Sequence, residues 1–374
     1  MTCFFGVDLH PTQFTVHART ESKAEKLEQI VQYPTTEEGY SRFLKRLRNL
    51  KIRGYDLKIG VESTGNTRFF KTQAEKAGAE VTVINTLKFK VITESAKKTD
   101  RHDAATISEF LSKDMLPESH VCRADTENLR RLLKSRERLV RSIVGQKNAN
   151  FLTLKSLYAL LVSMGLKDEL RSLQSKKGRR KILDVLESRS DLVLEAQSVK
   201  LMFEIIDKMS ESVKTLEKQL AELTKDDEMV QRLMTIRGCG KITAWMIRAY
   251  TEEIDRFPNA KKYAAFCGLV PWVSDSNETV HHGKITKRGP QELRTAFVQL
   301  VMGIRRCKDT ASWWMMQSYE YMKKTKGSGK SIVAAARKMA EIVWTMLSDG
   351  QDFDAVKMQG KYSPANLAAQ AAAS

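Results

Sequence analysis

Four carboxylates are spaced so that they could meet at one point. Asp8 closes an apolar run that begins at Phe4, and Glu62 closes another in Gly60-Val61-Glu62-Ser63-Thr64-Gly65. Asp100 and Asp103 stand in Lys98-Thr99-Asp100-Arg101-His102-Asp103-Ala104. An i, i+3 pair on a helix lies on one face. A carboxylate at the end of an apolar strand costs stability unless it has a partner. Two such acids facing a helix that carries two more repel strongly while ionised. A pair of divalent cations about 4 Å apart resolves that conflict and can activate and clamp a phosphodiester. Hard oxygen ligands favour Mg²⁺ or Mn²⁺. Any one acid alone reads as solvated surface, but Asp8 and Glu62 resist that reading because each follows an apolar strand. Arg101 and His102 are phosphate contacts or exposed flanks.

A second set of candidates lies far along the chain. Gly238-Cys239-Gly240-Lys241 leads into the apolar helix Ile242–Tyr250. That resembles a helix-hairpin-helix, whose turn offers backbone N–H groups at a helix N-terminus to a phosphate. Gly268-Leu269-Val270-Pro271, a polar loop and Ile285-Thr286-Lys287-Arg288-Gly289 follow. Lys284, Lys287, Arg288 and Arg294 are either phosphate contacts or a solvated basic face, and either way add salt-dependent affinity. Three motifs are decoys. Lys326–Ser331 imitates a phosphate-binding loop, but Lys324 occupies the position of its first glycine and no strand precedes it. Trp313, Trp314, Met315 and Met316, with Tyr319 and Tyr321, stand at helical spacing, which favours core over base stacking. His281 and His282 lack partners at zinc spacing.

The elements that must position these residues divide the chain into three parts and a tail. Residues 1–120 read as α/β: strands at Phe4–Leu9, Phe14–Ala18, Leu57–Val61 and Val81–Ile84, a turn at His10-Pro11-Thr12, and helices after Thr36 and over Thr67–Ala77. Residues 121–228 read as helical and basic. Within them Val199, Met202, Ile206, Met209, Val213, Leu216, Leu220 and Leu223 are spaced 3-4-3-4-3-4-3. That reads as a coiled-coil seam, which joins two protomers or forms an intrachain hairpin, or as a long helix packed on its own domain. Residues 229–350 are α-rich, with helices at about 290–308 and 331–348. Residues 351–374 read as a flexible tail, Ala-rich from Ser363.

Charge and composition narrow the partners. Lys and Arg number 63 against 45 Asp and Glu, a net charge of +18 spread along the chain, which points to a polyanion such as nucleic acid. Apolar residues at 42% and charged residues at 29% indicate a folded globular chain. No run of about 18 apolar residues is present, so no membrane span is expected, and the first residues carry no signal-peptide pattern. Five dispersed cysteines without a framework fit a reducing cytoplasm.

The acidic blocks resemble the signature blocks of the DEDD insertion-sequence transposases, the IS-one-ten and IS-eleven-eleven family that includes the Piv-type DNA invertases. Gly6-Val7-Asp8, Val61–Gly65 and Lys98–Ala104 match in order and spacing, and the three C-terminal blocks recur in the family's order. The resemblance implies a RuvC-like, RNase H-type N-terminal domain with Asp8, Glu62, Asp100 and Asp103 as Mg²⁺ (or Mn²⁺) ligands. It implies a C-terminal transposase domain with a nucleophilic serine, which counting between blocks puts at Ser276, with Ser274 as the alternative. Members typically have Ser-Gly-Gly there, whereas this chain has Ser276-Asn277-Glu278. Arg101, Gly238, Gly240, Lys241, Lys284, Thr286, Lys287, Arg288 and Arg294 become the candidate nucleic-acid contacts. The resemblance further implies a bridge RNA that pairs with donor and target DNA, a homo-oligomer, and a nucleoid-associated cytoplasmic enzyme. A serine becomes a useful nucleophile beside a base or metal, which the acids could supply across a domain interface. Two rivals stand against this reading. One is a Holliday-junction-type nuclease that uses water. The other is a coiled-coil nucleic-acid-binding protein without catalysis.

Overall fold

The computed structural model describes residues 1–20, 29–86, 88–89, 99–171, 173, 175–276 and 279–360, and at 273–276, 279–282 and 284 it describes the backbone alone. The Ala-rich end from Ser363 lies outside the described residues. The chain forms two compact units, Met1–Cys122 and Arg123–Ser374.

In the first unit, alternating apolar residues build a mixed sheet of β1 (Thr2–Leu9), β2 (Gln13–Thr20), β3 (Gln29–Pro34), β4 (Asp56–Glu62) and β5 (Ala79–Ile84). Its order is β3-β2-β1-β4-β5. The first three strands pair antiparallel, while β1, β4 and β5 run parallel. The edge strand β3 was not among the expected elements. Only Tyr33 of it is buried, so it carries little apolar alternation.

Helix α1 (Glu37–Ile52) starts at Thr36, whose hydroxyl accepts from the Gly39 N–H, and buries Tyr40, Phe43, Leu44 and Leu47 as their spacing predicts. With α2 (Thr67–Lys76) it covers one sheet face, where Phe14 lies within 5.1–5.6 Å of the rings of Tyr33, Tyr40, Phe43 and Phe70. The other face carries α3 (Asp100–Ser112), packed on β1, β2 and β4. Strand alternation sends Phe5, Val7 and Leu9 to the first face and leaves Gly6 and Asp8 facing α3.

Among its described residues, the second unit is helical apart from one strand pair. Helix α4 (Ala124–Lys155) is followed by the short α5 (Tyr158–Ser163) and α6 (Lys167–Arg171), then α7 (Lys176–Glu187) and α8 (Val193–Leu223). The basic run Lys176–Lys181 opens α7, capped by Ser175, and its Arg179 is buried against Asp207 and the Leu173 carbonyl. Helices α4 and α8 lie antiparallel. Leu129 and Leu133 share a core with Leu220, Arg136 meets Glu217 at 2.7 Å, and Ile143 shares a core with Val199 and Ile206. Within the chain α4 thus lies along the seam face of α8, where Val199, Ile206 and Leu220 are buried and Met202, Met209, Val213 and Leu216 are half-buried. Leu223, the last seam residue, stays exposed.

The remaining elements are α9 (Glu228–Met234), α10 (Lys241–Thr251), α11 (Ala260–Phe266), strands β6 (Pro271–Ser276) and β7 (Thr279–Ile285), α12 (Gln291–Arg306), α13 (Trp314–Lys326) and α14 (Ser328–Ser348). Trp313, Met315, Met316 and Tyr319 are buried in their core, as the aromatic spacing predicts, while Tyr321 is exposed. The expected flexible tail from residue 351 needs correction as far as Gly360. Met358 is buried, the Phe353 ring stacks 5.3 Å from Trp313, and the Phe353 N–H donates to Thr235 Oγ1. Among the described residues no helix is long and apolar enough to cross a membrane.

Candidate active site

Parallel pairing sets the first two acids side by side. Gly6 is opposite Gly60 and Val7 opposite Val61, so Asp8 and Glu62 follow at the carboxyl ends of neighbouring strands. Each glycine lies two residues before its acid and shares its face. A Cβ on Gly6 would stand 1.9 Å from the Ala104 carbonyl oxygen, and one on Gly60 would stand 2.7–2.8 Å from Leu116 and Ile107. The glycine pair is thus the seat on which α3 lies close to the sheet. A buried hydrogen bond of 2.7 Å between His17 Nδ1 on β2 and Ser108 Oγ on α3 holds the same contact.

Helix α3 begins at the site. The Thr99 hydroxyl accepts from the His102 N–H, which places Asp100 and Asp103 in the first turn. The partial positive charge of a helix N-terminus offsets part of the repulsion among acids gathered there. Asp8, Asp100 and one residue the acid pattern did not include, His10, have ligand atoms within 4.8 Å of one another. His10 Nε2 is 3.1 Å from Asp8 Oδ2 and 3.6 Å from Asp100 Oδ1. Glu62 and Asp103 stand outside that trio. Asp103 is close enough for its charge to act on Asp8, and Glu62 is half-buried at the next strand end. The Glu62 carbonyl accepts from Thr67 Oγ1 at 2.7 Å, which ties down the Ser63-Thr64-Gly65 turn.

Burial pushes the Asp8 carboxyl above its ordinary value; His10 pulls it down by charge and hydrogen bond, and the charges of Asp100 and Asp103 push it up. A cation would relieve that burial and repulsion together. Carboxylate oxygens are the ligands of hard divalent cations, so the acids present fit such an ion.

In the second unit, the two C-terminal blocks close on each other. The Thr286 N–H donates to the Val270 carbonyl at 2.9 Å, and Arg294 Nη1 donates to the Lys287 carbonyl at 3.3 Å. Gly289, at φ +96°, lies so close to the Phe266 carbonyl that a Cβ would be 1.9 Å from it. Between the blocks, the segment expected as a polar loop is the β6–β7 hairpin. Ser276 ends β6 opposite Thr279, and Ser274 lies opposite His281. Asn277 and Glu278 lie outside the described residues, as do the side chains of Ser274, Ser276, His281, His282 and Lys284.

Known proteins match both units. A DEDD transposase model of the IS110 group, described as Transposase, matches residues 5–159, and one described as Transposase IS116/IS110/IS902 family matches residues 230–317. The chain is similar to the transposase for insertion sequence element IS1111A of Coxiella burnetii, at 28% identity over 83% of each chain. It is also similar to a probable family 20 transposase of Pseudomonas aeruginosa, at 25% identity over 78% of this chain and 83% of that one. The chain belongs to the IS110/IS1111 family of transposases.

The transposase places its other candidate residues as follows. Arg101 is exposed on the first turn of α3. Gly240 caps α10 and Lys241 is exposed at its start, whereas Gly238 is pressed against the backbone of Gly303 on α12. Lys287 and Arg288 are exposed, and Lys287 holds a left-handed φ of +52°, uncommon for a residue with a Cβ. Thr286 keeps its hydroxyl oxygen buried and, among the described residues, without a hydrogen-bond partner. His10 and His17 were missed. The signal for His10 was its i, i+2 spacing from Asp8, which on a strand puts both on one face. The signal for His17 was a polar residue inside the apolar alternation of Phe14–Ala18.

Proposed function

We propose that this transposase cuts and rejoins DNA strands through a covalent serine link, with a RuvC-like first unit holding Mg²⁺ (or Mn²⁺) and a bridge RNA selecting the DNA. The observation that carries the metal half is the convergence of Asp8, from a strand end, and Asp100, from a helix start, within 4.8 Å in a unit whose family is DEDD transposases. The strand order β3-β2-β1-β4-β5, three antiparallel strands followed by two parallel ones, supports the RuvC-like reading. Asp8, Glu62, Asp100 and Asp103 would hold the ions, which when bound supply charge neutralisation and activation at a phosphodiester.

Ser276 is the nucleophile in this reading, with Ser274 as the alternative. Its Oγ–P bond forms as a sugar P–O bond breaks, the serine proton ends on the released sugar hydroxyl, and the number of phosphoester bonds is conserved for rejoining. Lys284, Lys287, Arg288 and Arg294, with Gly240 and Lys241, track phosphates, and the net charge of +18 supports DNA and RNA as partners. The enzyme works as a homo-oligomer. The exposed Leu194, Leu201 and Ile205 of α8 support an interprotomer contact. It acts in the cytoplasm, on the nucleoid.

The test is a denaturing-gel assay of the full chain with Mg²⁺, co-expressed RNA and end-labelled DNA from the element's flanks. Wild type forms a protein–DNA adduct, and Ser276→Ala and Asp8→Ala lose it while still binding nucleic acid. Cleaved DNA without an adduct in wild type would replace the serine mechanism by a water-using nuclease.

A further inference from the structure

We propose that His10 is itself a metal ligand, coordinating through Nε2 the divalent cation that Asp8 and Asp100 hold. The inference rests on the metal reading above and extends it to a residue outside the four acids. Asp8 and His10 sit on one face of the chain as it leaves β1. The turn that follows is held by the His10 N–H donating to the Gln13 carbonyl at 2.9 Å and stiffened by Pro11.

Ligands bonded at about 2.1 Å and meeting at right angles stand about 3.0 Å apart. The observed 3.1 Å from Nε2 to Asp8 Oδ2 is close to that separation, and at 3.6 Å Asp100 Oδ1 is near enough for the three atoms to share one ion. A single Nε2–H can satisfy one of those carboxylates well, not both. The ring is also 46% exposed, so it is no core histidine kept for packing. Among described residues, this trio is the one group of three or more histidine, cysteine or carboxylate side chains close enough to share an ion. One imidazole among oxygens shifts the set toward Mn²⁺, which accepts nitrogen more readily than Mg²⁺.

The experiment is Mn²⁺ titration of the full chain followed by pulsed EPR, in which a directly bonded imidazole gives ¹⁴N modulation of the Mn²⁺ signal. Wild type shows that modulation. His10→Gln, checked for folding by circular dichroism, still binds Mn²⁺ but on the order of tenfold more weakly, and the ¹⁴N signal is gone. Its loss of Mg²⁺ affinity is smaller. Mn²⁺ bound by wild type without ¹⁴N coupling overturns the role of His10 and leaves the acids as ligands. So does a ¹⁴N signal that survives in His10→Gln, because another nitrogen is then responsible. No Mn²⁺ bound by wild type overturns both this inference and the metal reading beneath it.

Discussion

Gly6→Ala should disable strand cleavage without touching a metal ligand. The new Cβ would stand 1.9 Å from the Ala104 carbonyl oxygen and 2.5 Å from the Ser108 nitrogen, both backbone atoms of α3. Contacts of that kind do not fall below 3.0 Å, so α3 must withdraw by at least 1.1 Å, the difference between 3.0 and 1.9. Ala104 directly follows Asp103, so the withdrawal carries Asp100 and Asp103 away from Asp8. A misplacement of about 1 Å costs on the order of 100-fold in rate, and forcing an extra methyl into a packed contact costs about 1–3 kcal/mol of stability. The assay is single-turnover cleavage beside urea unfolding. Gly145→Ala is the control: Gly145 is exposed on α4 with nothing within 4 Å of a Cβ, so alanine there should leave cleavage unchanged and raise stability by up to about 1 kcal/mol. Cleavage by Gly6→Ala at the wild-type rate, with unchanged unfolding, would refute the account of how the acids are brought together.

Asp8→Asn should raise the stability of the metal-free protein at neutral pH. Burial raises the folded pKa of Asp8, so ionising it costs stability, and that cost is fully present above the folded pKa and fades as pH falls through it. The gap between Asp8→Asn and wild type in urea unfolding should therefore widen with rising pH; a gap independent of pH would contradict the cause given. Ile206→Ala, in the covered seam, should cost about 2–5 kcal/mol, against about 0.5 kcal/mol or less for Leu201→Ala on the exposed face. Equal effects in unfolding curves would mean that α4 does not cover the seam. Lys287→Ala and Arg288→Ala should each weaken DNA binding and lower the slope of log affinity against log salt by about one. An unchanged slope in a titration from low to moderate salt would make both a merely solvated face.

The acids were legible because a carboxylate after an apolar strand is conspicuous, and the Asp100 and Asp103 pair because i, i+3 spacing puts both on one face of a helix. His10 was not, since Pro11 beside it reads as a turn and hides the i, i+2 relation to Asp8. Strand β3 escaped because an edge strand with one buried residue has no alternation to read. The hairpin bearing Ser276 read as a loop because its residues are mostly polar. Periodicity located the seam on α8 but not its partner, since 3-4 spacing is the same whichever helix covers it. Gly6 and Gly60 stood in the acid blocks, yet their role needed the strand register that sets them side by side against α3.

The central claim, strand transfer through a serine, is tested most directly by mass spectrometry of the trapped protein–DNA adduct after nuclease and trypsin digestion. The account predicts a nucleotide phosphodiester on Ser276 in the peptide Tyr263–Lys284. A modified residue outside the β6–β7 hairpin, or cleaved DNA with no modified peptide, would contradict it.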